Sequence, residues 1–204
     1  MQTNTSARQN YPAGVPHEIH PEQYRSLPQM FDEAFARYAD RPFSVCMERW
    51  MSYGELDALS KALGAWLQSR GLEPGARVAI MLPNIPQFAV TMCGVLRAGY
   101  TCVNVNPLYT ARELEHQLKD SGATAIVILE NFASTLEKVI ERTPVKHVVM
   151  TSMGDLLGGL YGAWITMAVR HLAKLVPAYK LPLSDGRSVT PFSQAIAEGR
   201  GRTL

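Results

Sequence analysis

The chain has 204 residues, 47% hydrophobic and 19% charged, enough to bury a sizeable core in one globular domain or slightly more. A formal net charge of +2, with Lys and Arg scattered along the chain, excludes nucleic-acid binding through a basic face. The three cysteines, Cys46, Cys93 and Cys102, form no Cys-x-x-Cys pair and have no histidine at zinc-ligand spacing, so they read as buried thiols of a reducing compartment and exclude a metal centre of that kind.

The opening MQTNTSARQN has no apolar stretch after a basic start, so no secretory signal is visible and a cytoplasmic location is expected. Residues 1–25 are polar and punctuated by Pro12, Pro16 and Pro21, which predicts an irregular arm. Ser26 and Gln29 then have capping-box spacing, and Leu27, Met30, Phe31, Ala34, Phe35 and Tyr38 recur at helical intervals. Between Phe43 and Met51 the apolar residues fit two short strands turning around Glu48 and Arg49, although the turn lacks a glycine. Ser52 and Glu55 repeat the capping-box spacing. They open a helix whose stripe of Leu56, Leu59, Leu63, Trp66 and Leu67 ends at Gly71.

From there four short apolar runs, Val78 to Met81, Cys102 to Val105, Ala125 to Leu129 and His147 to Met150, alternate with helical segments. Runs of this kind, apolar on both faces and joined by helices, predict an α/β architecture: a mostly parallel sheet flanked by helices over residues 26–150. Asn84 is placed to cap one connecting helix, with Pro86 in its first turn and Phe88, Met92 and Leu96 facing inward. Phe132, Leu136 and Ile140 suggest another. Gly99 follows a helix that ends with Arg97, where a left-handed residue and a cation both suit the terminus. Pro107 forces Asn106 into a turn or extended conformation, and Thr110 and Glu113 have the spacing of a further capping box.

The run Asn104-Val105-Asn106-Pro107-Leu108-Tyr109-Thr110, continuing into Arg112-Glu113-Leu114-Glu115-His116-Gln117-Leu118 and Asp120-Ser121-Gly122-Ala123, resembles the adenylate-forming acyl-CoA synthetases, and within them the bacterial long-chain fatty acyl-CoA ligases. Trp50-Met51-Ser52-Tyr53-Gly54-Glu55-Leu56 and Gly75-Ala76-Arg77-Val78-Ala79-Ile80-Met81-Leu82-Pro83-Asn84 follow the same family order. Tyr11-Pro12, Val15-Pro16, Ser26-Leu27, Leu175-Val176-Pro177 and Leu181-Pro182 extend the likeness to the fatty acid branch. The resemblance implies the amino-terminal part of the family's large domain. It also implies a parent enzyme that joins a long-chain fatty acid to coenzyme A, using ATP and Mg2+, through an acyl-adenylate.

The same likeness locates what is not expected here. The family's phosphate loop is rich in Gly, Ser and Thr and ends in a lysine, because phosphate charge must be met by backbone amides and a cation. Neither Thr151-Ser152-Met153-Gly154-Asp155 nor Glu198-Gly199-Arg200-Gly201 has that composition. The chain is therefore expected to be an amino-terminal fragment, with no catalytic, cofactor-binding or metal residue carried over and no strong binding of ATP, Mg2+ or CoA by itself. Residues 183–204 are expected to connect toward the ATP-binding part. Glu115 and His116 read as ordinary residues of an exposed helix face.

Residues 151–182 form a distinct segment. Within it, Leu156 to Val176 is apolar up to Arg170, yet too interrupted to span a bilayer, which takes about 20 apolar residues. Helical spacing puts Tyr161, Trp164, Ile165, Ala168, Leu172, Leu175 and Val176 on one stripe and Thr166, Arg170 and Lys174 on another. Tyr161, Trp164, Ile165, Leu172, Arg170 and Lys174 are accordingly the candidate contacts with the cytoplasmic face of an inner membrane, against the alternative of a helix packed on the sheet. Two other readings stand beside the ligase: a non-catalytic membrane or dimerisation module of the same fold, homodimeric in the latter case, and a ligase for another carboxylic acid. A dinucleotide oxidoreductase is disfavoured, since no Gly-x-Gly-x-x-Gly follows any predicted strand.

Overall fold

The computed structural model describes residues 11–16 and 18–204, so residues 1–10 and 17 of the stretch read as an irregular arm lie outside the described residues. Helix α1 (Leu27–Arg37) begins where Gln29 N donates to Ser26 Oγ at 3.3 Å. Strands β1 (Pro42–Cys46) and β2 (Arg49–Ser52) pair antiparallel as a hairpin. Its turn falls on Met47 and Glu48, at φ 48° and 63°, one residue earlier than the sequence suggested. A two-residue hairpin turn needs both central residues left-handed to match strand twist, and here it is met without glycine. Helix α2 (Tyr53–Gln68) carries the complete capping box of Ser52 and Glu55.

The sheet follows as β3 (Arg77–Met81), β4 (Thr101–Asn104), β5 (Ala125–Leu129), β6 (His147–Thr151) and β7 (Ser188–Pro191), joined in part by α3 (Pro86–Arg97), α4 (Ala111–Ser121), α5 (Ala133–Glu137) and α6 (Gly159–Met167), with α7 (Phe192–Gly199) last. The strand order is β4-β3-β5-β6-β7, and every pair is parallel. The four predicted strands are present. The fifth, β7, was not foreseen, because Ser188-Val189-Thr190-Pro191 is too polar and short to stand out as an apolar run. The edge strand β4 is half-exposed, where a buried one was expected.

Period-two alternation along the central strands divides the core. Val78, Ile80, Ala125, Val127, Leu129 and Val149 point to one face and pack with α2, α3 and α7. Ala79, Met81, Ile126, Ile128 and Val148 point to the other, against Leu114 and Leu118 of α4 and Leu136 of α5. On the first face the helices approach very closely. A Cβ on Gly64 of α2 would stand 2.8 Å from the Gly94 carbonyl oxygen of α3, and one on Gly199 of α7 would stand 1.9 Å from the Ala62 carbonyl oxygen. Glycine is required at both crossings.

Three local expectations need correction. The N-cap of α3 is Ile85, and Asn84 makes no capping bond; Pro86 at the first helical position sets the start one residue later. The buried face of α3 runs through Gln87, Val90, Thr91 and Gly94, while Phe88, Met92 and Leu96 are only half-buried. Apolar periodicity misjudged the phase, because two of the buried positions are polar. The helix suggested by Phe132, Leu136 and Ile140 is broken into a single turn at Glu130–Phe132, the short α5, and another turn at Ile140–Arg142. It ends at Thr143, held extended before Pro144.

Arg97, at the end of α3, ties this face together. Its side chain is 4% exposed and pairs with Asp32 of α1 and, at 2.6 Å, Asp57 of α2. It also donates to Ser60 Oγ at 2.7 Å and lies over the Phe35 ring at 5.3 Å. Burial pushes the Asp57 carboxyl upward, but hydrogen bonds from Lys61 and Arg97 outweigh it and hold it below the usual carboxylate value. That stabilisation is complete above the unfolded carboxylate pKa and is lost as pH falls through the lower folded value. Arg97→Met is therefore expected to lower stability at pH 7 by about 2–4 kcal/mol, since it strands two carboxylates that keep partial access to water. In urea denaturation the deficit relative to wild type should shrink as pH falls through the lowered Asp57 value.

Candidate functional site

In an open parallel sheet the carboxyl ends of the strands carry the ligand-facing loops, particularly where successive connections leave in opposite directions. Here β3 leads to β4 on one side, and the chain then returns across it to β5. The loops after β3, β5 and β6 hold a cluster of buried polar side chains. Gln87, in the first turn of α3, donates from Nε2 to the Ser152 carbonyl oxygen at 2.9 Å. Asp155 accepts from Thr151 Oγ1 at 2.8 Å, from Ser152 N at 3.1 Å and from Ser152 Oγ, and Ser152 Oγ shares a hydrogen bond with Thr166 Oγ1 of α6 at 3.1 Å. The Thr151 to Asp155 loop is thus closed on itself, and its Ser152 amide is spent on a carboxylate of its own chain.

Beside it, Glu130 directly follows the fully buried β5 and its side chain is 2% exposed. Arg170 meets it with Nε at 2.8 Å and Nη2 at 2.6 Å, and this bond raises the Arg170 pKa. Burial, followed by the Glu130 charge, pushes the Tyr179 phenol upward as well. Asn131 donates to the Leu175 carbonyl oxygen at 3.0 Å, so two consecutive residues after β5 pin the segment that follows α6 to the sheet edge. Between this edge and α6 lies an open cavity of about 570 Å³, lined by Ser152, Asp155, Gly162, Thr166, Arg170 and Ser193 among others. Gly154 and Gly162 let α6 sit so close: a Cβ on Gly154 would be 1.9 Å from the Gly162 carbonyl oxygen.

The candidate membrane residues are separated by the structure. Tyr161, Trp164 and Leu172 are exposed, Trp164 at 54% and Leu172 at 70%. Ile165 is 8% exposed and packs inward, and Arg170 is engaged with Glu130, so neither is available to a surface in the way the helical stripe suggested. After Met167 α6 gives way to a wider π turn over Ala168–Leu172, which shifts the register assumed for the residues from there on, Arg170 among them; Ile165 precedes that turn and lies on the inward side of α6 with Gly162. Lys174 is exposed, in a left-handed conformation at φ 52°. Sequence reasoning missed Gln87, Glu130 and Asp155. Glu130 had a signal, a carboxylate abutting an apolar strand; the other two had none.

Chemically the arrangement fastens the β5 and β6 loops and α6 to one another. Among the described residues no group of three or more His, Cys, Asp or Glu converges as a metal site, and no helix is long and apolar enough to cross a membrane. Glu115 and His116 are on α4, where Glu115 binds Arg142 at 2.7 Å and Lys119 at 2.6 Å. Those bonds, from Arg142 first, draw its carboxyl down to about 2.

An open parallel sheet covered by helices on both faces defines an α/β domain. The family model described as AMP-binding enzyme matches residues 31–162, and the chain belongs to that family. It is 53% identical over 173 residues to a long-chain-fatty-acid–CoA ligase of Escherichia coli O157:H7, covering 84% of this chain and 31% of the relative. It is 48% identical over 195 residues to a ligase of the same name from Haemophilus influenzae, covering 95% of this chain and 34% of the relative. The chain thus spans about a third of the length of these curated relatives. The crystal structure of a long-chain-fatty-acid-CoA ligase from Archaeoglobus fulgidus superposes with a TM-score of 0.58 at 23% identity, over 89% of this chain and 36% of that one, and so shares the fold.

The Glu130–Arg170 pair should respond unequally to its two single substitutions. Arg170→Met leaves a buried carboxylate without a partner and is expected to cost about 2–4 kcal/mol. Glu130→Gln leaves a half-exposed guanidinium that water can solvate, and should cost about 1 kcal/mol. Urea denaturation of both, with the double variant Glu130→Gln/Arg170→Met closing the cycle, measures the difference.

Proposed function

We propose that this chain is part of an AMP-forming ligase that activates long-chain fatty acids as coenzyme A thioesters. The observation that carries the proposal is the 53% identity, sustained over 173 residues, to a relative bearing that name. In the reaction proposed, a fatty acid carboxylate attacks the α-phosphate of ATP, releasing diphosphate and giving an acyl-adenylate. The thiol of coenzyme A then displaces AMP. ATP, Mg2+ and CoA belong to that proposal.

In this proposal triphosphate binding is not assigned to the two glycine-containing stretches of this chain. The Thr151 to Asp155 loop spends its Ser152 amide and hydroxyl on Asp155, and Gly199 is wedged against Ala62 with no room for a phosphate between them. No step of the chemistry is assigned to these side chains. Their part is positional: the buried β3 and β5 strands, with Gln87 and Glu130 at their ends, fix where the carboxyl-edge loops begin.

The test is AMP release by the polypeptide over its whole reading frame, with ATP, Mg2+ and CoA and one carboxylic acid at a time. Palmitate is expected to exceed acetate and benzoate in kcat/KM by at least about a hundredfold, as several extra buried methylenes allow. A preference for acetate or benzoate would replace the fatty acid by another carboxylate, and no AMP release with any acid would remove the ligase reading.

A further inference from the structure

We propose that the open cavity between α4 and the turn at Ile140–Arg142 binds the diphosphate group of a small molecule. It has a volume of about 420 Å³ and is lined, among others, by Arg112, Glu115, His116 and Lys119 of α4 and by Lys138 and Arg142 beyond α5. The four α4 residues share a face because they recur at three- and four-residue intervals. Four Lys and Arg side chains against one carboxylate give this small region a formal charge of +3, although the whole chain carries only +2, so the remainder sums to −1. Neighbouring carboxylates do not line the cavity: Glu113 is turned to the Thr110 cap, and Asp120, Glu137 and Glu141 lie outside the lining. A cleft lined by one sign of charge focuses the field and draws in ions of the other.

Glu115 fixes two of these cations without exhausting them. Lys119 Nζ stands 2.6 Å from its Oε1, and Arg142 donates from Nε at 3.0 Å and from Nη2 at 2.7 Å to its Oε2. With its carboxyl drawn down to about 2, Glu115 is ionised at neutral pH and the clamp stays closed. Arg142 Nη1 and two of the three ammonium hydrogens of Lys119 remain without a partner among the described residues. The side chains of Arg112, His116 and Lys138 make no ion pair or hydrogen bond there either. Like charges held in one cleft repel each other, and a bound anion relieves that repulsion.

The donor set selects the ligand. A lone carboxylate would engage one or two of these groups. A diphosphate offers acceptor oxygens on two linked phosphorus atoms, enough for two guanidinium and two ammonium groups at once, and the guanidinium fork matches phosphate geometry. The cavity's size confines the ligand to a small molecule, whereas a nucleic acid would need an extended basic face that this chain lacks. None of the carboxyl-edge side chains Gln87, Glu130 and Asp155 takes part, so the cavity is a second site, separate from that cluster. ATP, CoA and the diphosphate released in the proposed reaction all carry the group it would hold.

The experiment is isothermal titration calorimetry of the protein, expressed over its whole reading frame, with inorganic diphosphate in Mg2+-free buffer. Wild type should bind one equivalent more than Arg112→Gln/Lys138→Gln, or bind it about tenfold or more tightly, and the binding should weaken in high salt. Both substituted positions are exposed, and the circular dichroism spectrum should be unchanged. Lys174→Gln/Lys180→Gln, which removes the same charge from exposed positions elsewhere, should bind like wild type. Competition identifies the source of the group. ADP displacing as well as inorganic diphosphate means that the diphosphate itself is recognised, while CoA displacing about tenfold more tightly makes CoA the carrier. AMP, with a single phosphate, should displace at least about tenfold less well than ADP. Absence of binding by wild type, equal binding by Arg112→Gln/Lys138→Gln, or AMP as effective as ADP would each overturn the proposal. Binding is read without turnover, so its failure and the failure of the ligase reading are separate results.

Discussion

The rest of the structure depends on the complete burial of β3 and β5. Every residue of Ala125–Leu129, and all but the first of Arg77–Met81, is shut away from water, and alternate side chains face opposite ways. A strand of this kind is stable only if both faces of its sheet are covered, which makes helices on either side a requirement. It also dictates where polar groups go. Side chains within the strands cannot be polar, so polar residues gather where the strands stop, and Glu130 and the Thr151 to Asp155 loop are in that place. The closed hydrogen-bond cluster at the carboxyl edge is the counterpart of the apolar centre.

The two faces of the sheet are held by different physics. On the side of α2, α3 and α7, glycine contacts bring helix backbones together and Arg97 supplies a charged clasp among α1, α2 and α3. On the other side, α4 and the short α5 pack through Leu114, Leu118 and Leu136, and the ion pair of Glu115 with Arg142 is much more exposed than that of Arg97. The first face resembles a helical bundle laid on a sheet, the second a single layer. Family membership is consistent with such a division, because a shared framework has to be rigid where it positions loops and only well packed elsewhere.

Much of this organisation was legible in the residues. The capping boxes at Ser52 and Thr110 set helix starts because both partners of each box lie three residues apart in sequence. Four strands were visible because their apolar runs are local signals. What was not legible depended on distant partners. β7 is a strand only because β6 lies beside it, and nothing in Ser188-Val189-Thr190-Pro191 announces that neighbour. Gln87 is buried only because the Ser152 carbonyl oxygen meets it, 65 residues away. The phase of α3 was misread for the same reason. Arg170 left its expected stripe because the π turn after Met167 changes the helical repeat, a detail that hydrophobic periodicity does not carry.

The long route to β7 has a consequence for how the sheet assembles. His147 and Ser188, hydrogen-bonded at 3.0 Å where β6 meets β7, are separated by 41 residues, whereas β1 and β2 are joined by a turn of two residues. Loop-closure entropy grows with the logarithm of the intervening length, so β7 costs more to bring home than β2 does, as does β5, whose Ala125 pairs with the still more distant Val78. β7 differs from β5 in standing at the end of the strand order, so it can part from β6 without opening the buried β3–β5 centre. In the native protein that end of the sheet is a natural site of partial opening: amides of Ser188–Pro191 are expected to exchange with solvent at a lower free energy than those of the buried β5.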